Sequence, residues 1–333
     1  MGADMNARAL KSLVPWWARI PAKMVLSRLP VSTDTWRKLR LFQLGSMNRG
    51  EYVWFVFERH LAELLEPGAF DGKTLLELGP GDGVASGLLA SCLGAERSIL
   101  VDAGDFASRD LKTYRAMIED WRAHGLPVRH LEDATTFDEL CEAGRTTYLT
   151  RGLDSLRELE DASVDVQLSN AVLEHVRVDE LDATFVELAR ILKPNGFGRH
   201  AVDLRDHLGG ALNHLRFEPE RWESKLFTRS GFYTNRVRFG DMLARIRSSG
   251  VDARVTKTWT WSSLPTPRAK LAEEFRHVRE DDLRVWGFDV EVRPLAVAAT
   301  VDPGLSAGVS GEPASLFDRR HRAARPESAG RAV

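Results

Sequence analysis

The sequence predicts an α/β protein built on a doubly wound, mostly parallel sheet of seven strands, with a helical N-terminal arm and a helical insertion after the fifth strand. Three observations predict it. Short apolar runs alternate with amphipathic stretches over about 130 residues from Thr74. A glycine-rich turn, "LLELGPGDG" (75–83), joins the first run to the first helix of that series. Two later runs rich in β-formers, "DARVTKTWTW" and "FDVEVRPLAVAAT", follow a stretch without the alternation.

The elements follow in order. Residues 1–70 read as a helical arm. Its first part, "ARALKSLVPWWARIPAKMVLSRLP", is cut by Pro15, Pro21 and Pro30, so it supports short helices at best. The basic residues Arg8, Lys11, Arg19, Lys23 and Arg28 mix there with Trp16, Trp17 and Val25. This mixture reads as an arm packing on the core, with peripheral contact to a membrane surface or an acidic substrate as the alternative. "EYVWFVFERHLAELL" reads as a packed helix ended by Pro67-Gly68.

"TLLELG" is the first strand. "VASGLLASCL" is a helix with Val84, Leu88 and Cys92 on one face. "RSILVDAG" is the second strand. "FASRDLKTYRAMIEDWRAHG" is a helix striped by Leu111, Tyr114, Ile118 and Trp121 and closed by Gly125 and Pro127. "TTYLTRG" and "VDVQLSN" are the third and fourth strands. "LDATFVELARIL" is a helix with Leu181, Phe185, Leu188 and Leu192 on one face, stopped by "KPNG" before the fifth strand, "GRHAVDL". Residues 206–247, where aromatic side chains mix with arginines, form the helical insertion. Residues 248–302 hold the final strands, and 303–333, rich in Gly, Ser, Ala, Pro and Arg, form a disordered tail.

Composition narrows the function. The chain has 333 residues, of which 43% are apolar and 28% charged, with a net charge of −2, so no global field argues for nucleic acid. Two cysteines, Cys92 and Cys141, are too few for a disulfide framework and suit a reducing compartment, which points to the cytoplasm. No run of about 18 apolar residues is present to span a membrane.

The glycine turn lies at the carboxyl end of the first strand, where open α/β sheets bind ligands. Glycine there permits positive φ and a close approach of ligand to backbone. The order G-x-G-x-G places Gly83 one residue early for a dinucleotide fingerprint. Glu77 just before the turn disfavours a pyrophosphate and tolerates a cationic ligand. Asp102 ends the second strand, 19 residues after Gly83 by their numbers, and a carboxylate there can accept both hydroxyls of a ribose. An Asp at such a position is otherwise a cap or turn former, a role for which Asp105 competes.

"LLELGPGDG", Asp102, "VDVQLSNAVLEHV" and "LARILKPNGFGRHAVDL" together resemble the class I S-adenosylmethionine-dependent methyltransferases, over roughly Thr74 to Leu204. The resemblance implies a Rossmann-like cofactor core over 71–205, with S-adenosylmethionine as cofactor and S-adenosylhomocysteine as product. It implies that the turn Gly79, Pro80, Gly81, Asp82 and Gly83 wraps the amino-acid part of the cofactor. Glu77 then lies near its cationic amino end, and Asp102 binds the ribose. Asn170, with Ala171 after it, lines the methionine moiety and the mouth of the site. The family's acid near the adenine amine has no firm counterpart: Asp154 comes late, Arg151 intervenes, and the backbone of Gly152 to Leu153 is the substitute.

Methyl transfer from a sulfonium needs alignment above all, and a hydroxyl acceptor also benefits from a base. His207 in "HAVDLRDH" is the preferred base and His175 in "LEHV" the second. Asp203, Asp206 and His207 have the donor chemistry for a divalent metal, but strand alternation splits neighbouring side chains between faces, so no metal is assigned. Tyr233, Asn235, Arg236 and Arg238 are the expected acceptor contacts, on an insertion suited to a polar or anionic group. "SNAV" differs from the Asn/Asp-Pro-Pro-aromatic pattern of amide and amino-nitrogen methylases, and neither cysteine follows a proline. Both facts argue against nucleic acid. The expected activity is O-methylation of a small-molecule or glycan-type acceptor. N- or C-methylation of a natural product and a non-catalytic cofactor-binding partner subunit are the alternatives.

Overall fold

The computed structural model describes residues 15–26 and 47–295. Arg8, Lys11, Arg28, the side chains of Lys23 and Val25, residues 296–302 and the tail 303–333 lie outside the described residues. Seven strands form one sheet: β1 Thr74–Leu78, β2 Arg97–Val101, β3 Thr146–Leu149, β4 Val164–Asn170, β5 Leu192–Asp203, β6 Val251–Thr260 and β7 Val285–Pro294. The order is β3-β2-β1-β4-β5-β7-β6. β1 to β5 run parallel to one another, and β7 runs antiparallel to both β5 and β6. The carboxyl ends of β1 to β6 and the amino end of β7 therefore share one edge. The strand order reverses between β1 and β4, which opens a crevice at that edge.

Helices cover both faces because the parallel strands are apolar on both sides. The main ones are α1 Trp16–Leu26, α2 Gly50–Leu61, α3 Ala85–Cys92, α4 Leu111–Ala123, α5 Val178–Ile191 and α6 Phe239–Ser248. Val53, Val56 and Phe57 of α2, Leu88 of α3 and Trp121 of α4 share a core with Leu75, Leu100, Val166 and Leu168. Leu181, Phe185 and Leu188 of α5 and Met242 and Ile246 of α6 share the opposite core with Leu76, Ile99, Val202, Phe288 and Val290. Because strand side chains alternate, Leu75 and Glu77 face the α2–α3 side, whereas Leu76 and Leu78 face the other.

Four local expectations are corrected. Pro21 does not break α1, which runs eleven residues with the proline inside it. One ladder bond is lost, and contacts outside the helix hold it: Trp16 meets Phe217 edge-on at 6.2 Å, and Arg19 donates to the Leu208 carbonyl at 2.6 Å. "KPNG" is not a stop before the fifth strand. β5 already pairs Leu192 with Val164, and the register then jumps to Val166 with Phe197, so Lys193 to Gly196 bulge from the strand. Asp105 does not cap the following helix; Asp110 does, accepting from the Lys112 amide at 3.1 Å, while Asp105 pairs with Arg109. Residues 261–284, between β6 and β7, form a further set of short helices. Leu271, Phe275 and Leu283 there pack against Leu212 and Leu215 of the first insertion. No periodicity announces them, because each helix is only three to five residues long.

The first insertion is built round Trp222. Its ring packs against Phe217, Phe227, Phe232 and Tyr233 with centroids 5.4–6.3 Å apart. Aromatic pairs at such distances add about 0.5–1.5 kcal/mol each beyond area burial. The indole Nε1 donates to the Thr234 carbonyl at 2.7 Å, so its polar atom is satisfied inside the cluster. Among the described residues no helix is long and apolar enough to cross a membrane.

Candidate active site

The glycine turn leaves β1 toward α3. Gly79 has φ +71° and Gly81 φ +67°, left-handed values that strain other residues. Space is short as well: a Cβ on Gly79 would lie 2.5 Å from a methyl of Val172. Gly83 is required for a different reason. Its φ is ordinary, but a Cβ would lie 2.8 Å from the Met47 carbonyl oxygen. The chain entering α2 thus crosses directly over the turn. Pro80, Gly81, Asp82 and Gly83 are all buried.

Two buried acids flank the turn. Glu77 accepts a hydrogen bond from the Ser86 hydroxyl of α3. Asp102 follows β2 and accepts from the amides of Gly81 at 2.9 Å and Ala103 at 2.7 Å. It therefore ties the glycine turn to the loop after β2, where the Ser108 amide also donates to the Asp82 carbonyl. Burial pushes Glu77 up to about 7, against the Ser86 bond. Burial likewise raises Asp102 to about 6, against its two amide bonds. Among the described residues neither acid forms an ion pair. Two desolvated carboxyls without a counter-ion give the turn a preference for a positively charged ligand.

The raised values have a consequence for stability. Each acid favours folding fully below its unfolded value, about 4, and that contribution is lost as pH rises through 6 and 7. The melting temperature of the ligand-free protein is expected to fall across this window, and Glu77→Gln to flatten the fall. A melting profile with the same slope in the variant contradicts the assignment.

Asn170 ends β4, and Ala171 after it has φ +59°, a left-handed value rare outside glycine. The strained turn swings the chain away from the sheet edge. The Asn170 amide is not open. Its Oδ1 lies 3.3 Å from Arg59 Nη1 and 3.2 Å from His60 Nε2, and its Nδ2 donates to the Tyr52 hydroxyl at 3.0 Å. All three partners sit on α2. Burial depresses His60 to about 4, so it is neutral and the bond to Asn170 is between uncharged groups. Arg59 also reaches Asp289 of β7 through Nε at 3.3 Å and through Nη2. It crosses over Ala201, which lies between them in register: Asn170 pairs with Ala201, and Ala201 with Asp289. The small residue leaves room for the guanidinium.

The imidazoles of His175 and His207 meet edge-to-face with centroids 4.7 Å apart. They come from the loop after β4 and the loop after β5, which places both at the ligand edge. His175 Nδ1 is 2.9 Å from the Tyr233 carbonyl. A carbonyl only accepts, so Nδ1 carries the proton in the neutral ring and the lone pair resides on Nε2.

Their acidic neighbours have other duties. Asp206 accepts from the amides of Leu208, Gly209, Gly210, Ala211 and Asn213 and from the Asn213 side chain. Burial raises it, but His214 and these amides together outweigh burial and hold the carboxyl below its usual range. Asp203 makes a two-pronged pair with Arg205 at 2.8 and 2.9 Å. The trio Asp203, Asp206 and His207 is therefore divided among separate tasks, and no group of three metal-ligating side chains comes together among the described residues.

The four expected acceptor contacts turn inward, which corrects the sequence reading. The Tyr233 hydroxyl donates to Glu223 at 2.8 Å. Asn235 Nδ2 donates to the carbonyls of Leu173 and Val176, and its amide to Glu174, which staples the insertion to the loop after β4. Arg236, with φ +61°, donates to the Phe217 carbonyl, pairs with Glu274 at 3.2 Å and lies over Phe275. Arg238 is fully enclosed and donates to the carbonyls of Leu204, Leu283 and Val285; burial lowers it to about 10. A guanidinium carries five N–H donors, and carbonyls just after β5 and around the start of β7 accept from this one.

Near the expected adenine end, Asp154 pairs with Arg157 and Arg151 with Glu158, all exposed. The Gly152 amide donates to the Asp102 carbonyl at 2.8 Å, so it is already engaged. Sequence reasoning missed Tyr52, Arg59, His60, Asp289 and Glu174. A signal existed for the first two: Tyr52 and Arg59 are seven residues apart, two helical turns, and share a face. Glu174 beside His175 is buried, and burial first, then the charge of Asp203, pushes its carboxyl well above the usual range. Nothing in the sequence distinguishes it from an exposed glutamate.

Residues 76–198 match the model of a methyltransferase domain. No curated protein matches significantly. Among solved structures, an S-adenosylmethionine-dependent methyltransferase from Mesorhizobium loti is 19% identical, with 67% of this chain and 92% of that chain covered and a TM-score of 0.37. The 1,6-didemethyltoxoflavin-N1-methyltransferase of Burkholderia thailandensis, solved with its substrate and S-adenosylhomocysteine, is 13% identical, with 73% and 76% covered and a TM-score of 0.36. Likeness at this level says nothing of the acceptor.

Proposed function

We propose that this chain, whose residues 76–198 match the model of a methyltransferase domain, uses S-adenosylmethionine as cofactor and methylates an oxygen of a small-molecule or glycan-type acceptor. The observation that carries the oxygen assignment is the imidazole pair at the ends of β4 and β5, with the His175 proton fixed on Nδ1 by Tyr233. When bound, the cofactor supplies a methyl group on a sulfonium, an excellent leaving group.

Every other task falls to the chain. Glu77 faces the cationic amino end, and its raised pKa falls as that charge arrives. Asp102, held by two amides, offers its remaining lone pairs to ribose hydroxyls. The left-handed glycines let the backbone approach the amino-acid part. The chain entering α2, which crosses the turn at Met47, and α2 itself, bonded to Asn170 through three side chains, exclude water from the mouth. His175 Nε2 accepts the acceptor's hydroxyl proton, a step worth typically 10²–10⁴ in rate. The His207 ring packs against it and fixes its plane. In this reading Cys92 and Cys141, both free thiols, suit a cytoplasmic enzyme.

The test uses S-adenosylmethionine labelled with carbon-13 in the methyl group and a pool of hydroxylated and amino acceptors. An O-methyl resonance in the product is expected. An N- or C-methyl resonance would reassign the acceptor atom, and cofactor binding without transfer to any member of the pool would favour a binding subunit.

A further inference from the structure

With Tyr233, Asn235, Arg236 and Arg238 turned inward, the polar contacts for an acceptor must come from elsewhere, and two irregularities of the sheet supply them. Along β6, Ala253 and Val255 pair with Val292 and Val290 and belong to the α5–α6 core. The register then jumps, and Lys257 pairs with Asp289, leaving Thr256 as an extra residue. Paired residues of an antiparallel ladder point to the same face. Without the bulge Lys257 would face the core with Val255; with it, Lys257 and Trp259 face the side of Asp289 and Arg59. A second bulge makes Trp286 the extra residue of β7, between Val285 and Gly287. Bulges of this kind recur beside active sites, where they re-aim a side chain.

The result is a stack at the ligand edge. Trp259 lies over Gly287, whose missing Cβ leaves the indole 3.6 Å from that position. Trp259 and Trp286 stack at 5.6 Å with 28° between planes. Arg205 covers Trp286 at 4.5 Å, and both Arg59 and Lys257 lie 4.9 Å from the Trp259 ring. Both indoles remain half-buried rather than enclosed. Arg59 connects the stack to Asn170, and Arg205 connects it to Asp203 on the strand that leads to His207. Arg59 pairs with Asp289 and Arg205 with Asp203, whereas Lys257 is exposed and makes no ion pair among the described residues. Three cations thus face two carboxylates.

We propose that this bulge-built stack is the acceptor subsite, and that the acceptor is a hydroxylated small molecule carrying a carboxylate or a phosphate, which Lys257 holds against the edges of Trp259 and Trp286. The inference rests on the methyltransferase reading, because it needs the acceptor to lie beside Asn170 and the two histidines. The surplus cation selects the anion, and the tryptophan edges accept the flat or saccharide part.

The full chain, saturated with S-adenosylhomocysteine, is titrated with glucuronate, glucose 6-phosphate and glucose while tryptophan emission is followed. The two anionic sugars are expected to bind at least about tenfold more tightly than glucose, a gain typical of one charge-assisted contact. Lys257→Gln, at an exposed site, is expected to fold normally and to lose that preference. Tighter binding of glucuronate than of the phosphate ester marks a carboxylate acceptor, and the reverse marks a phosphate. Equal binding of all three sugars, no emission change with any of them, or an undiminished preference in the variant overturns the assignment. Failure to bind S-adenosylhomocysteine at the start would instead overturn the methyltransferase reading.

Discussion

Replacing His175 with glutamine is expected to lower kcat by about 10²–10⁴ while leaving the Kd for S-adenosylhomocysteine unchanged, the signature of a lost proton acceptor. His175 is exposed, so folding is not at stake. Its Nδ1 bond to the Tyr233 carbonyl means that the imidazole, and no amide, presents a basic nitrogen at Nε2. His207→Gln is expected to cost less. It removes a ring contact worth about 0.5–1.5 kcal/mol, roughly 2- to 12-fold in rate. Steady-state kinetics with calorimetry on the two variants separates the roles. A large loss in His207→Gln with a small one in His175→Gln would exchange them. Full rates in both would remove the base and, with it, the case for an oxygen acceptor.

Asp102→Asn is expected to weaken S-adenosylhomocysteine binding by about 10- to 150-fold, the equivalent of one charge-assisted bond of about 1.5–3 kcal/mol. The asparagine keeps one acceptor for the Gly81 or Ala103 amide but presents an NH₂ to the other, so the loop after β2 also loosens. The wild-type Kd carries an independent mark. Glu77 and Asp102 titrate near 7 and 6 in the empty protein, and a bound cation lowers both. Affinity is therefore full above pH 7 and declines as pH falls through 7 and 6, approaching about tenfold per unit for each group. Calorimetry at pH 7.5 and 5.5 reads this directly. A Kd independent of pH would mean that neither acid meets the charge of the ligand.

The first two strands and the turn between strand and helix were legible because their determinants are local. A strand carrying Glu77 next to its end, a turn demanding glycine and a second strand followed by Asp102 lie within 30 residues, and each follows from backbone conformation and periodicity. The acceptor half was not legible, because its determinants are relational. Arg236 and Arg238 look like anion contacts as a string, yet each is claimed by carbonyls that only the folded insertion brings within reach. Glu174 looks exposed, yet the folded chain buries it and brings the charge of Asp203 to bear on it.

By itself the sequence determined the seven-stranded α/β class and the glycine-demanding turn after the first strand, since alternation and positive φ act over a few residues. Only the tertiary structure decided why Gly83 must lack a side chain, which α2 residues hold Asn170, and that Lys257 and Trp259 take the sheet face of Asp289 and Arg59. A single-residue bulge reverses which face every later side chain takes. Its position is set by pairing with β7, a strand about 30 residues further along the chain, and no local pattern carries that information.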